Sequence, residues 1–126
     1  MVEKQSLILA EDDEMLSSLL KYRLEKAGFR VKWAADGRAV KAMLQTGLPD
    51  LLIFDIMMPY FSGIELVDYV RNELAASTPL IVVSTAGNEV NVLNAFDLGA
   101  DDFIAKPVSP SELIVRVKKL LIKNTR

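Results

Sequence analysis

The sequence predicts a three-layer α/β fold, a doubly wound parallel sheet of five strands with helices on both faces, and three observations predict it. Five short apolar runs alternate with five longer amphipathic stretches along 126 residues, the pattern of strands joined by crossover helices. Turn and cap residues punctuate the alternation, among them Gly28, Asp36, Gly47, Gly99 and Pro110. Three of the runs end directly on charge: Leu7-Ile8-Leu9-Ala10 on Glu11 and Asp12, Leu51-Leu52-Ile53-Phe54 on Asp55, and Phe103-Ile104-Ala105 on Lys106.

The first strand is read at 7–10 and the first helix at 14–27, where Leu16, Leu20, Leu24 and Ala27 recur at helical spacing and Gly28 supplies the stop. Asp13 and Glu14 suit the cap and first turn of that helix, where acids favour the N-terminal dipole. A second strand at 30–34 leads to a helix that begins after Asp36, a side chain suited to capping, and ends before Gly47. The third strand, 51–54, is followed by a helix over 63–73 whose Ile64, Leu66, Val67 and Val70 are available to face the sheet. The fourth strand is placed at 80–84, its helix at 89–98 with a stop at Gly99, and the fifth strand at 102–105. Ser109-Pro110-Ser111-Glu112 opens the last helix as a capping box with proline at the first helical position.

This length suits one domain, here residues 1–126, with a core large enough to need no covalent staple. Lys123-Asn124-Thr125-Arg126 reads as a tail or as the stub of a linker to a longer regulator. A formal net charge of -2 argues against direct nucleic-acid binding. Lys118, Lys119, Lys123 and Arg126 are read as cations at a helix C-terminus instead. The chain contains neither cysteine nor histidine, which excludes disulfides, thiolate or imidazole metal sites, and Ser-His-Asp or Cys-His catalysis. Without a membrane-length apolar stretch or a signal-peptide core, the expectation is a cytoplasmic protein with no membrane partner.

A carboxylate at the end of a buried strand is costly unless something uses its charge. In an open parallel sheet, ligands bind beyond the carboxyl ends of the strands, where strand order reverses. The order 2-1-3-4-5 sets strand one beside strand three, so that Glu11, Asp12 and Asp55 converge. Converging carboxylates repel one another and call for a cation. Oxygen ligands alone select a hard ion, Mg²⁺ where phosphate is involved, with Mn²⁺ as a substitute. A carboxylate can itself attack phosphorus, and Asp55, the lone acid at the tip of the central strand, is the expected nucleophile.

With these residues the chain resembles a bacterial response-regulator receiver domain, a family that includes the single-domain chemotaxis regulator and has the flavodoxin-like 2-1-3-4-5 sheet. The resemblance spans about residues 7–122 and rests on Ala-Glu-Asp-Asp after strand one, Phe-Asp-Ile-Met-Met-Pro around Asp55, and Gly63 eight positions later. Ser84 after strand four, Gly-Ala-Asp-Asp-Phe, and Lys106-Pro107 complete the set. It implies that Asp55 accepts phosphate from a sensor histidine kinase, a phosphotransfer protein or a small phosphodonor. It further implies that Asp12 binds Mg²⁺ directly, Glu11 acts largely through water, and the Met57 backbone carbonyl completes the protein ligands. Lys106 would neutralise a phosphoryl oxygen beside a cis bond to Pro107, and Ser84 would donate its hydroxyl to the phosphoryl group. Phe103 would swing inward as Ser84 moves, changing the surface of helix four, strand five and helix five. Asp97, Asp101, Asp102, Arg116 and Lys119 carry part of the family's pattern for phosphorylation-dependent homodimers on that surface. The output domain or target protein is not specified.

Structural readings stand beside these. Phe103 also fits a strand aromatic packed on the core, Met58 a gap-filler, and Ser84 and Thr85 strand-end hydroxyls. Ser84 lies twenty-two positions before Lys106, the spacing usual for the switch residue. Serine replaces the commoner threonine there, and Thr85 stands where alanine is usual. Tyr60 and Phe61 are expected to be exposed aromatics that help form a partner contact. Met57 and Ala86 are apolar and unable to orient a water, so slow self-dephosphorylation is expected. The chief alternative function is a Mg²⁺-dependent phosphohydrolase working through an aspartyl phosphate. Such an enzyme wants an acid two residues after the nucleophile, where this chain has Met57.

Overall fold

A computed structural model describes residues 3–85 and 87–124, with the side chain of Asn124 excepted. Strands β1 (Ser6–Ala10), β2 (Arg30–Ala34), β3 (Leu51–Asp55), β4 (Leu80–Ser84) and β5 (Asp102–Ala105) pair in parallel, in the order β2-β1-β3-β4-β5. Helices α1 (Glu14–Lys26), α2 (Gly37–Gln45), α3 (Gly63–Asp68), α4 (Glu89–Leu98) and α5 (Pro110–Asn124) follow the strands in turn. Every residue of β3 and β4 is buried, whereas β2 and β5, the two edges, carry exposed positions. The continuous apolar runs of β3 and β4 thus reflect cover on both faces.

Alternate strand residues feed two cores. Leu7, Leu9, Ile53, Ile81 and Ile104 pack with Leu20 and Leu24 of α1 and with Leu113, Val117 and Leu121 of α5. Ile8, Leu52, Phe54 and Val82 pack with Val40 and Leu44 of α2, Leu66 and Val67 of α3, and Ala95 of α4. Register aligns the strand ends: Ala10 lies opposite both Ala34 and Phe54, Asp55 opposite Val83, and Ser84 opposite Ala105. The residues that leave β1, β3 and β5 are thereby brought to one rim.

Local chemistry sets most boundaries. Asp13 caps α1, its carboxylate accepting from Met15 and Leu16 N–H at 3.0 and 3.1 Å, and Asp36 caps α2 through Ala39 N–H. Gly28 ends the α1 turn at φ +105, a conformation that suits glycine. At α5 half of the expected capping box forms: Glu112 N–H donates to Ser109 Oγ at 3.3 Å, while the Glu112 carboxylate lies 3.7 Å from Arg116 Nε. A complete box forms instead at α3, between Ser62 and Glu65. Of the cations read at a helix C-terminus, Lys123 lies in the last turn of α5, Lys118 and Lys119 lie on α5 more than a turn before its end, and Arg126 falls outside the described residues.

The helix expected over 63–73 is α-helical only to Asp68; Tyr69–Glu73 form a wider π turn, with Leu74 N–H bonded to the Tyr69 carbonyl at 3.0 Å. This turn presents Arg71 to three acceptors: the Gly99 carbonyl, the Ala76 carbonyl and Asp101 Oδ2, each at 3.0 Å. Two of those partners, Gly99 and Asp101, are remote in sequence, which is why helical periodicity alone missed the change of winding.

Candidate functional site

β1, β3 and β5 deliver the charges. Asp55, the last residue of β3, is 2% exposed, as is Glu11 just beyond β1, while Asp12 is exposed. One carboxylate oxygen from each of Glu11, Asp12 and Asp55 lies within 4.8 Å of the others. Lys106, beyond β5, reaches in with Nζ 2.8 Å from Asp55 Oδ2 and 3.3 Å from Glu11 Oε1. The other Asp55 oxygen, Oδ1, accepts the Met57 backbone N–H at 3.0 Å, and Glu11 Oε2 accepts that of Asp13 at 3.1 Å. The Lys106–Pro107 peptide bond is cis.

Burial raises the Glu11 carboxyl to a pKa of about 7, aided by its hydrogen bond to Asp55 and held back by the Asp13 N–H and the Lys106 charge. Burial pulls the other way on Lys106, but its hydrogen bond and attraction to Asp55, and then Glu11, hold its pKa above the ordinary lysine value. When all four groups ionise, three carboxylates face one ammonium, leaving an excess of negative charge. The oxygen-only donor set fits a hard divalent cation.

Gly63 shapes the floor. A Cβ there would collide with the Asp55 carbonyl and come within 2.8 Å of Ile56 Cα, and Gly63 N–H already donates to the Ile56 carbonyl at 2.9 Å. Only glycine lets α3 start this close to the end of β3. Ser84 is fully buried at the end of β4, and its hydroxyl donates to the Thr85 carbonyl at 3.3 Å. Phe103 is half-buried and packs on the core that faces α2, α3 and α4. Ala86 falls outside the described residues.

The expectation of two exposed aromatics in the loop after Pro59 holds for Tyr60 alone. Tyr60 is 61% exposed, has a left-handed backbone at φ 70, and carries the Arg38 guanidinium 3.8 Å from its ring centre. Phe61 is half-buried against the core beneath Lys41 Nζ, 3.7 Å from the ring centre, and abuts Gly37. Met58 is half-buried in the same core, as a gap-filler would be, and Met57 is exposed.

On the surface of α4, β5 and α5, Asp97 and Lys119 are exposed. Asp101, Asp102 and Arg116 already have partners within the chain: Asp101 accepts from Arg71 and from Leu80 N–H, and Asp102 accepts from Arg116 at 2.7 Å. Sequence reasoning missed Trp33, whose indole N–H donates to the Glu11 carbonyl at 2.7 Å. A cleft of about 420 Å³ lined by Ser6, Arg30, Lys32, Met43 and Thr46 opens near the starts of β1 and β2, the ends of those strands opposite the acids.

A sequence model of the response regulator receiver domain matches residues 7–118. The chain belongs to that family. Its relatives include the phosphate regulon transcriptional regulatory protein PhoB of Rhizobium meliloti, 41% identical across 91% of this chain and 51% of that protein. Another is the alkaline phosphatase synthesis transcriptional regulatory protein PhoP of Bacillus subtilis, 33% identical across 93% of this chain and 48% of that protein. The chain thus spans about half the length of these relatives. Among solved structures, the receiver domain of Francisella response regulator 1452 superposes with a TM-score of 0.87 at 31% identity, covering 98% of this chain and all of that one. A CheY-like receiver domain protein from Methanospirillum hungatei gives 0.89 at 28% identity, covering 95% of both chains.

Receiver domains are signalling modules of two-component systems rather than classical enzymes, and they take their signal from a histidine kinase or another phosphodonor. They bind Mg²⁺ at an acidic cluster, and the grouping of Glu11, Asp12 and Asp55 in this receiver suits that ion. No helix among the described residues is long and apolar enough to cross a membrane.

Proposed function

We propose that this receiver accepts a phosphoryl group on Asp55 from a sensor histidine kinase, a phosphotransfer protein or a small phosphodonor, and that the modified state changes the surface of α4, β5 and α5. The observation that carries the reading is Asp55 itself, a buried carboxylate in contact with the Lys106 ammonium and grouped with two further acids. An oxygen of Asp55 attacks phosphorus; the new O–P bond forms as the bond to the donor's imidazole nitrogen breaks, and that nitrogen leaves with the electron pair and takes a proton. Asp12, Asp55 and the Met57 carbonyl would hold Mg²⁺ directly and Glu11 largely through water, and the ion would supply positive charge for the phosphoryl oxygens. Lys106 supplies the rest.

Ser84 then trades its bond to the Thr85 carbonyl for one to a phosphoryl oxygen, and Phe103 turns further inward from its half-buried position. Reversal is slow, because the exposed Met57 side chain and Ala86 offer no group to orient water. Catalysis is confined to the domain's own modification. Residues 1–126 act as one cytoplasmic receiver unit, in which Lys123 and Asn124, read from the sequence as part of a tail or link, instead belong to α5. The relatives' names point to transcription as the process served, through an output domain or target protein rather than through nucleic acid held by this domain. Pairing of two receivers through Asp97, Asp101, Asp102, Arg116 and Lys119 requires the internal partners of Asp101, Asp102 and Arg116 to be exchanged.

Intact-mass spectrometry after incubation with acetyl phosphate and Mg²⁺ tests the chemistry. The native chain is expected to gain the mass of one phosphoryl group and Asp55→Asn to gain none; an equal adduct on both refutes the assignment of Asp55.

A further inference from the structure

We infer that Trp33 is a positioning residue for the acids that hold Mg²⁺, an inference that rests on the Mg²⁺ reading above. Glu11 is the first residue beyond β1, where its backbone loses the regular ladder. Both of its polar backbone groups are nevertheless tied to the end of β2: its N–H donates to the Ala34 carbonyl at 3.1 Å, and its carbonyl accepts the Trp33 indole N–H at 2.7 Å. β2 is an edge strand, and Trp33 stands opposite Leu9 in the β1 register, two residues short of Glu11. The side chain therefore reaches forward along the strand to the rim.

The Glu11 carbonyl belongs to the same planar peptide as the Asp12 nitrogen. Fixing that carbonyl fixes the plane, and with it the direction in which Asp12 leaves β1. Asp12 is exposed, yet its carboxylate must meet those of Glu11 and Asp55. The Glu11 carboxylate is oriented separately, by Asp13 N–H and Lys106. Trp33 thus orients the peptide that joins the two acids without touching the ion. Its indole is a donor only, so a phenylalanine in its place keeps an aromatic ring but removes the bond.

The test compares Mg²⁺ binding by native chain and Trp33→Phe in isothermal titration calorimetry, alongside their cation-free melting curves. The variant is expected to bind Mg²⁺ about tenfold more weakly, the loss of one well-placed hydrogen bond. Equal affinity in the two proteins overturns the inference while leaving the Mg²⁺ reading intact; a native chain that binds no Mg²⁺ overturns both. A second measurement does not depend on the variant folding. Trp33 is the single tryptophan of the chain, so its indole ¹⁵N–¹H resonance is unambiguous. That resonance is expected to shift on Mg²⁺ addition with the calorimetric Kd and to stay fixed in an ionic-strength control of NaCl. A resonance unmoved at saturating Mg²⁺ refutes the coupling.

Discussion

Replacing Glu11 by glutamine is expected to stabilise the cation-free protein above neutral pH, although it damages the site. The magnitude follows from the Glu11 carboxyl, whose pKa is raised from 4.5 to about 7 by burial and by its contact with Asp55. A raised folded-state pKa means that the folded protein holds the proton more tightly than the unfolded chain does. The associated stability is fully present below pH 4.5 and is lost as pH rises through about 7. The interval corresponds to about 3 kcal/mol. Glutamine, the neutral isostere of the protonated acid, makes no such pH-dependent contribution. Lys106 does not interfere, because its raised pKa makes a contribution lost only in strong alkali, above the ordinary lysine value. In urea unfolding without divalent cations, native and Glu11→Gln proteins are expected to match near pH 4.5 and to differ by about 3 kcal/mol near pH 8, with the variant more stable. Saturating Mg²⁺ is expected to close the gap by stabilising the native protein more than the variant. A stability difference that does not change with pH, or one that favours native Glu11 as pH rises without cation, refutes the account of a carboxylate kept at energetic cost for its ligand.

Gly63→Ala places a methyl against the backbone of Asp55 and Ile56, where neither can yield without moving the phosphoacceptor. A loss of about 2 kcal/mol in urea unfolding is expected, together with slower phosphorylation by acetyl phosphate; a variant with native stability and rate shows that α3 can shift freely. Asp101→Ala removes an acceptor from both Leu80 N–H and Arg71, so a loss of about 1–2 kcal/mol is expected even in monomer. Chemical unfolding at a concentration shown monomeric by size-exclusion chromatography checks it, and an unchanged midpoint means that Asp101 is free for contacts between copies.

β1, β3, β4 and β5 were legible because each contains a continuous apolar run, and Asp55 was legible because it ends one of these runs. Convergence of Glu11, Asp12, Asp55 and Lys106 was likewise readable, since parallel order and register alone carry three strand ends to one rim. Contacts that depend on side-chain reach across the fold were not readable. Nothing near Phe61 in the sequence shows that Gly37 and Lys41 enclose it. Nothing near Trp33 shows that its indole bonds to Glu11, twenty-two residues earlier. Asp101 and Arg116 look like free surface charges until their partners are known, Arg71 of the π turn and Leu80 N–H for the one, Asp102 and the Phe103 carbonyl for the other.

The π turn after α3 has a mechanical consequence for α4. Arg71 grips the Gly99 carbonyl and Asp101 at once, and Gly99, at φ +119, lies so close that a Cβ would come within 2.9 Å of Arg71 Cγ. At the opposite end the Asn88 side chain caps no backbone N–H of α4, its Oδ1 accepting from the Asn91 side chain at 2.8 Å instead, and Val90 and Leu93 lie open to solvent. α4 is therefore clamped at its Gly99 end, while its first turn, which follows β4 and Ser84, has no such clamp among the described residues. In the switching proposed above, a displacement near Ser84 would turn the apolar stripe of α4 about its Gly99 end.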